Sequence, residues 1–165
     1  MDGRESLIGL NAFHAVASAS LPEREAHAPV FEVGEILLNA MMDDGLDHWG
    51  PLYVRWEAGL LDALGFGLDL AQCASTGQTD DLIYVSPRSG RAVSRAAGAI
   101  YKERLFALPS FLLGSQNAVT SADIRAGLKL TGYFLQERVW APHNREIPPA
   151  RLRLDELASR ESATP

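Results

Sequence analysis

The chain has 165 residues, 47% of them hydrophobic and 22% charged, which is enough apolar material for one globular core and excludes a disordered chain. A formal net charge of −6 argues against a surface given over wholly to nucleic acid, because phosphate neutralisation needs surplus Lys and Arg. One cysteine, Cys73, precludes a disulfide within the chain. The N-terminus lacks the basic and long apolar regions of a secretion signal, and no apolar run reaches membrane-spanning length, so the expected location is cytoplasmic, with no membrane partner.

In chain order, Leu7, Leu10, Phe13 and Val16 recur at close to helical spacing and predict a helix from about Glu5 to Ala19, stopped at Leu21-Pro22-Glu23. A second helix starts at Pro29, carries Val30, Val33, Leu37 and Met41 as an apolar stripe, and ends at Asp43-Asp44-Gly45. The third is the clearest: Tyr53, Trp56, Leu60, Leu61 and Leu64 share one face, Arg55, Glu57 and Asp62 are placed on other sides, and Gly65 suits a left-handed cap.

Beyond Leu64 the pattern changes. Leu68 to Ser94 is turn-rich. Leu82 to Val85 reads as a strand, Ser86 to Gly90 as a turn and Arg91 to Val93 as a short return strand, which together make a small hairpin. Ala96 to Tyr101 is a short helix, and Leu105 to Leu113, around Pro109, a loop or helical turn. Thr120-Ser121-Ala122-Asp123 has the form of a capping box and opens a helix with the stripe Ile124, Leu128, Thr131, Leu135 and Val139. A last helix runs from about Pro149 to Ser159, and residues 161–165 form a frayed tail. The fold class is mainly α: a bundle-like domain over residues 1–160, with a β-hairpin insert at 66–95.

Catalytic and metal chemistry find little support. Structural zinc calls for about four Cys or His ligands, usually in C-x2-C pairs. Thr76 stands at the pair position of Cys73, Ser94 and Ala97 hold the next such spacing, and His14, His27, His48 and His143 are scattered. No nucleophile elbow, P-loop or dinucleotide loop is present, and Gly65-Phe66-Gly67 follows a helix, a poor setting for a phosphate loop. Neither a catalytic residue nor a cofactor is expected, and the protein is read as non-enzymatic. Two arginine groups suit an anion: Arg88, Arg91 and Arg95 at the hairpin, and Arg145, Arg151 and Arg153 towards the C-terminus.

The segments YVRWEAGLLDALGFGLDLAQCASTG and DLIYVSPRSGRAVSRAAG resemble the central part of the RecO family of bacterial DNA repair proteins, in its alphaproteobacterial style. LPEREAHAPVFE upstream and LKLTGYFLQERV downstream extend the likeness from about Asn11 to Leu154, and Trp56 to Gly67 is its most specific stretch. The resemblance implies a recombination mediator that binds DNA and single-stranded DNA-binding protein, works with RecR and often RecF, anneals strands, and helps load RecA recombinase. It also implies an N-terminal OB-fold followed by a helical domain with a zinc-finger-like insert. No alternating strands precede the first helix here, so the expectation is of the helical domain alone, with weakened DNA binding. The positions matching the zinc ligands hold Cys73, Thr76, Ser94 and Ala97, so the insert is a degenerate finger that folds through Leu70, Leu82, Tyr84 and Val93 without metal.

The expected function is therefore an adaptor in DNA repair and recombination. Its partner site would take the acidic, apolar C-terminal tail of single-stranded DNA-binding protein, with Arg55 on the carboxylate and Leu60 and Leu61 beside an apolar pocket. The alternative is direct nucleic-acid binding or annealing through Arg88, Arg91, Arg95, Arg151 and Arg153.

Overall fold

The computed structural model describes residues 3–21 and 28–163, with the side chains of residues 33–160 and 3–21 placed. It is mainly helical. Helices α1 (Gly3–Ser20), α2 (Ala28–Asp43) and α3 (Leu46–Ala63) are followed by strands β1 (Leu82–Val85) and β2 (Ala92–Ser94) and the short helix α4 (Arg95–Gly98). A 3-10 segment, Ala99–Arg104, leads to strand β3 (Phe106–Ala107) and a 3-10 turn at Ser110–Leu113. Helix α5 (Ser121–Phe134) widens into a π-helical stretch, Leu135–Trp140, before helix α6 (Pro149–Ala163) closes the chain. None of the helices among the described residues is long and apolar enough to cross a membrane.

Helix α3 is the centre of the core. Its apolar face buries Trp49, Tyr53, Trp56, Leu60 and Leu61 completely or nearly so, against Ala12 and Val16 of α1, Leu37 of α2 and Leu128 and Leu130 of α5. The helix begins at Leu46, about two turns before the predicted stripe, and Gly45 gives it no side-chain cap. Glu5 of α1 supplies one from a distance, accepting the Leu46 amide at 3.1 Å and satisfying one of the donors that a helix start leaves open. At the other end Gly65 adopts φ +86, the left-handed conformation expected of a cap glycine.

The Thr120 capping box forms: the Thr120 hydroxyl accepts the Asp123 amide at 3.1 Å and the Asp123 carboxylate accepts the Thr120 amide at 3.0 Å. All five residues of the predicted stripe, from Ile124 to Val139, are buried. The stop predicted at Pro22-Glu23 lies outside the described residues, although α1 does end just before it. At the far end α6 runs to Ala163, so the predicted tail is helical through that residue, and residues 164 and 165 lie outside the described region.

The insert is a three-stranded antiparallel sheet in the order β2-β1-β3. The return strand is offset by one residue from its predicted place, pairing Val85 with Ala92 and Tyr84 with Val93. Strand β3 sits in a segment read from sequence as loop or turn, and it pairs Val85 with Phe106 on the free edge of β1. Two residues are too few to show a period, and only the waiting edge of β1 makes them a strand.

Candidate functional site

Three places carry concentrated polar chemistry. The first is inside the core. Glu57 and Arg151 are both fully buried and form a bidentate pair, Nε to Oε2 at 2.7 Å and Nη2 to Oε1 at 2.8 Å. The Arg151 guanidinium also donates to the Leu128 carbonyl at 2.9 Å and, through Nη1, to Asp155 one turn along α6. The Thr131 hydroxyl donates to Glu57 Oε1 at 2.6 Å. Burial opposes the charge on Arg151, and the Glu57 carboxylate outweighs it, so its pKa rises above the ordinary arginine value. Burial likewise raises Tyr53, whose ring lies 5.8 Å from the guanidinium, and raises Asp155 despite the opposing Arg151 charge. The network ties α3, α5 and α6 together.

This placement corrects two readings from sequence. Glu57 belongs to the buried face of α3, four residues on from Tyr53. Arg151, expected at a nucleic-acid surface, has no exposed surface, and its guanidinium donates to Glu57, Asp155 and the Leu128 carbonyl.

The second place is the insert. Cys73, Ser94 and Ala97 do converge: the Ser94 amide donates to Cys73 Sγ at 3.3 Å, the two side chains lie 3.6 Å apart, and the Ser94 hydroxyl accepts the Ala97 amide at 3.2 Å. Cys73 is buried, and burial pushes its thiol up, but donors on Thr76 and Ser94 outweigh this and lower it to about 6. The four positions that the resemblance matches to zinc ligands hold one thiol, two hydroxyls and a methyl. That donor set does not fit tetrahedral zinc, and among the described residues no three His, Cys, Asp or Glu cluster around a common point.

At the hairpin, Arg95 pairs with Asp81 at 3.2 Å and Arg91 lies 3.7 Å from Asp69, while Arg88 is exposed with no ion-pair partner among the described residues. Arg153 is exposed on α6, with no ion pair among the described residues. The five arginines of the nucleic-acid reading thus divide into one buried, two paired and two free.

Of the proposed partner site, Arg55 is exposed and donates through Nε and Nη2 to the Phe111 carbonyl, at 3.3 and 3.0 Å, with its guanidinium 5.7 Å from the Phe111 ring. Leu60 and Leu61 are fully buried and pack the core, so they line no pocket open to a partner.

The third place was not foreseen. A groove of about 480 Å³ runs along α5, with Phe106, Leu128, Tyr133 and Ile147 as apolar walls, Arg125 and Lys129 as cations, and Asp155, already paired with Arg151, as the one carboxylate among its described lining residues. A neighbouring hollow shares Phe106, Arg125 and Lys129 and adds Lys102. Arg125 and Lys129 are exposed, stand four residues apart on one helix face, and form no ion pair among the described residues. Phe106 and Tyr133 meet at 4.9 Å between ring centroids. The exposed Arg125 and Lys129 were visible in sequence, but Phe106 reaches them only through the unexpected third strand.

Fold and insert together define a class: a mainly helical domain interrupted by a small β-knuckle. The family model for the C-terminal region of recombination protein O matches residues 2–146, and the chain belongs to that family. It is similar to the DNA repair protein RecO of Caulobacter vibrioides, at 54% identity over 95% of this chain and 64% of the relative. The RecO of Phenylobacterium zucineum is 55% identical over 89% of this chain and 60% of its own, and that of Rhodospirillum rubrum 47% over 99% and 66%. The chain thus spans a little under two thirds of the length of the first two of these relatives. No solved structure matches it.

Proposed function

We propose that this chain is a non-enzymatic recombination mediator that docks the acidic C-terminal tail of single-stranded DNA-binding protein and works with RecR to help load RecA. Family membership supports a role in DNA repair and recombination. The observation that carries the tail reading is the α5 groove. An acidic tail ending in an aromatic residue and a free carboxylate needs an apolar slot beside cations that have no other partner. The groove offers Phe106 and Tyr133 as walls and Arg125 and Lys129 as cations. Arg55 is a poorer clamp, because the Phe111 carbonyl already takes two of its donors and the leucines beside it are buried. The working compartment on this reading is the cytoplasm, at the nucleoid.

Direct nucleic-acid binding through the hairpin and C-terminal arginines has less support. Arg151 is enclosed, and Arg91 and Arg95 already face carboxylates.

The test is titration of a fluorescent nonapeptide, acidic and ending in phenylalanine with a free carboxylate, against the purified chain. Saturable binding weakened about tenfold or more by Arg125→Glu, and little changed by Arg55→Ala, is the expected result. Binding lost in Arg55→Ala and retained in Arg125→Glu would move the site to Arg55. No saturable binding to the chain would end the tail reading.

A further inference from the structure

A second cavity, also about 480 Å³, opens where the ends of α1 and α3 meet the π-helical stretch. It shares no residue with the α5 groove. Leu64, Val139 and Pro142 are among its apolar walls, and Phe66 stands at it 41% exposed, so a ring face is open to a ligand. Arg138 and Arg145 supply the cationic part of the lining, with His143 beside them.

Both arginines are held in place by backbone carbonyls. Arg138 Nη1 donates to the Phe66 carbonyl at 3.2 Å and its guanidinium lies 4.5 Å from the centre of the Phe134 ring. Gly90 of the hairpin packs against the same guanidinium: a Cβ there would sit 3.1 Å from both Nη atoms, so glycine is what lets the insert approach. Arg145 Nη1 donates to the Ala19 carbonyl at 3.2 Å. Neither arginine pairs with a carboxylate among the described residues, and each retains donors beyond its carbonyl contact.

We infer that this cavity is a second docking site, for an internal acidic segment of a partner protein that inserts one aromatic or large aliphatic side chain. The apolar walls take the side chain, and the two forks take carboxylates on either side of it, each fork being already oriented. Nucleic acid fits less well. A long polyanion is opposed by the net charge of the chain in a way that a short acidic segment is not, and Phe66 is the one Phe, Tyr or Trp ring that the described lining offers for stacking. The inference is independent of the tail reading, because an internal segment has no terminal carboxylate to offer.

The probe is the heptapeptide Glu-Asp-Glu-Phe-Glu-Asp-Glu, acetylated and amidated, titrated into the isotope-labelled 165-residue chain with amide shifts followed by NMR. Saturable shifts centred on Phe66, Val139 and His143 are expected, with affinity reduced about tenfold by Arg145→Glu and similarly by Phe66→Ala. The exposed Arg145 side chain makes one hydrogen bond, to a carbonyl, its amide bond to the Trp140 carbonyl survives substitution, and the Phe66 ring is partly exposed, so both variants keep the fold. The inference is overturned by any of three results: no saturable shifts, shifts confined to Arg125 and Tyr133, or unchanged affinity in both variants. An oligothymidylate that binds the same residues more tightly than the peptide would also overturn it and assign the cavity to nucleic acid.

Discussion

Replacing Arg151 with methionine should destabilise the domain by about 3–5 kcal/mol, the usual cost of leaving a buried charge without its partner. The structure explains why the upper part of that range applies. The substitution removes both hydrogen bonds to Glu57, the bond to the Leu128 carbonyl and the contact with Asp155, while Glu57 stays fully enclosed with only Thr131 as a donor. At about 2–4 °C per kcal/mol for a chain of this size, the melting temperature should fall by roughly 6–20 °C. Urea unfolding followed by circular dichroism gives the free energy directly. Pairing the change with Glu57→Gln removes the stranded charge, and the double variant should recover a large part of the loss, a coupling that the cycle of single and double variants measures. A loss below about 1 kcal/mol for Arg151→Met, or strictly additive effects of the two substitutions, would refute the claim that the pair is enclosed and mutually dependent.

Thr120→Ala should cost about 1 kcal/mol in the same unfolding experiment, because it removes half of the reciprocal cap on α5. Gly98→Ala should cost about 1–3 kcal/mol, since its Cβ would lie 2.5 Å from Tyr84 Cδ2 and 2.9 Å from Leu105 Cδ1, forcing the sheet off the helix. Incubation with a strong chelator should leave the melting temperature unchanged and elemental analysis should find no stoichiometric zinc; a bound equivalent would refute the reading of the insert. The Cys73 thiol is lowered in the folded chain to about 6, so it contributes stability above the unfolded thiol value, and that contribution is lost as pH falls through about 6. Melting curves at pH 9 and pH 5.5 should therefore differ more for the native chain than for Cys73→Ala, and equal differences would sink the assignment.

Periodicity made the helices legible. The stripe from Tyr53 to Leu64 and the stripe from Ile124 to Val139 both point inwards, because a 3.6-residue period leaves one face to bury and little freedom about which. The same rule places Glu57 inside, since its offset of four from Tyr53 puts it on the apolar face, while its charge alone points to the surface. Arg151 carries a comparable signal, standing three and seven residues before the buried Leu154 and Ala158. What periodicity could not supply was the partner, which lies 94 residues away in sequence. Strand β3 and the α5 groove were hidden for a related reason. Two residues show no period, and the groove exists only where β3, α5 and α6 meet.

The insert is held by packing and by weak polar bonds. In a metal knuckle the ligands converge because the ion holds them, yet here Cys73, Ser94 and Ala97 converge through an amide-to-sulfur bond and an amide-to-hydroxyl bond. Each is weaker than a metal–ligand bond, so the frame needs support from outside. Leu82, Val85 and Ala92 provide it from within the sheet, buried in continuity with the main core, and β3 closes one edge. Arg138 provides it at the turn, where its guanidinium packs on Gly90 and bonds the Phe66 carbonyl at the point where the insert leaves α3. The arginine that anchors the knuckle is thus one of the two that line the second cavity. A residue on the helical body helps to hold the insert in place, at both the Phe66 carbonyl and Gly90.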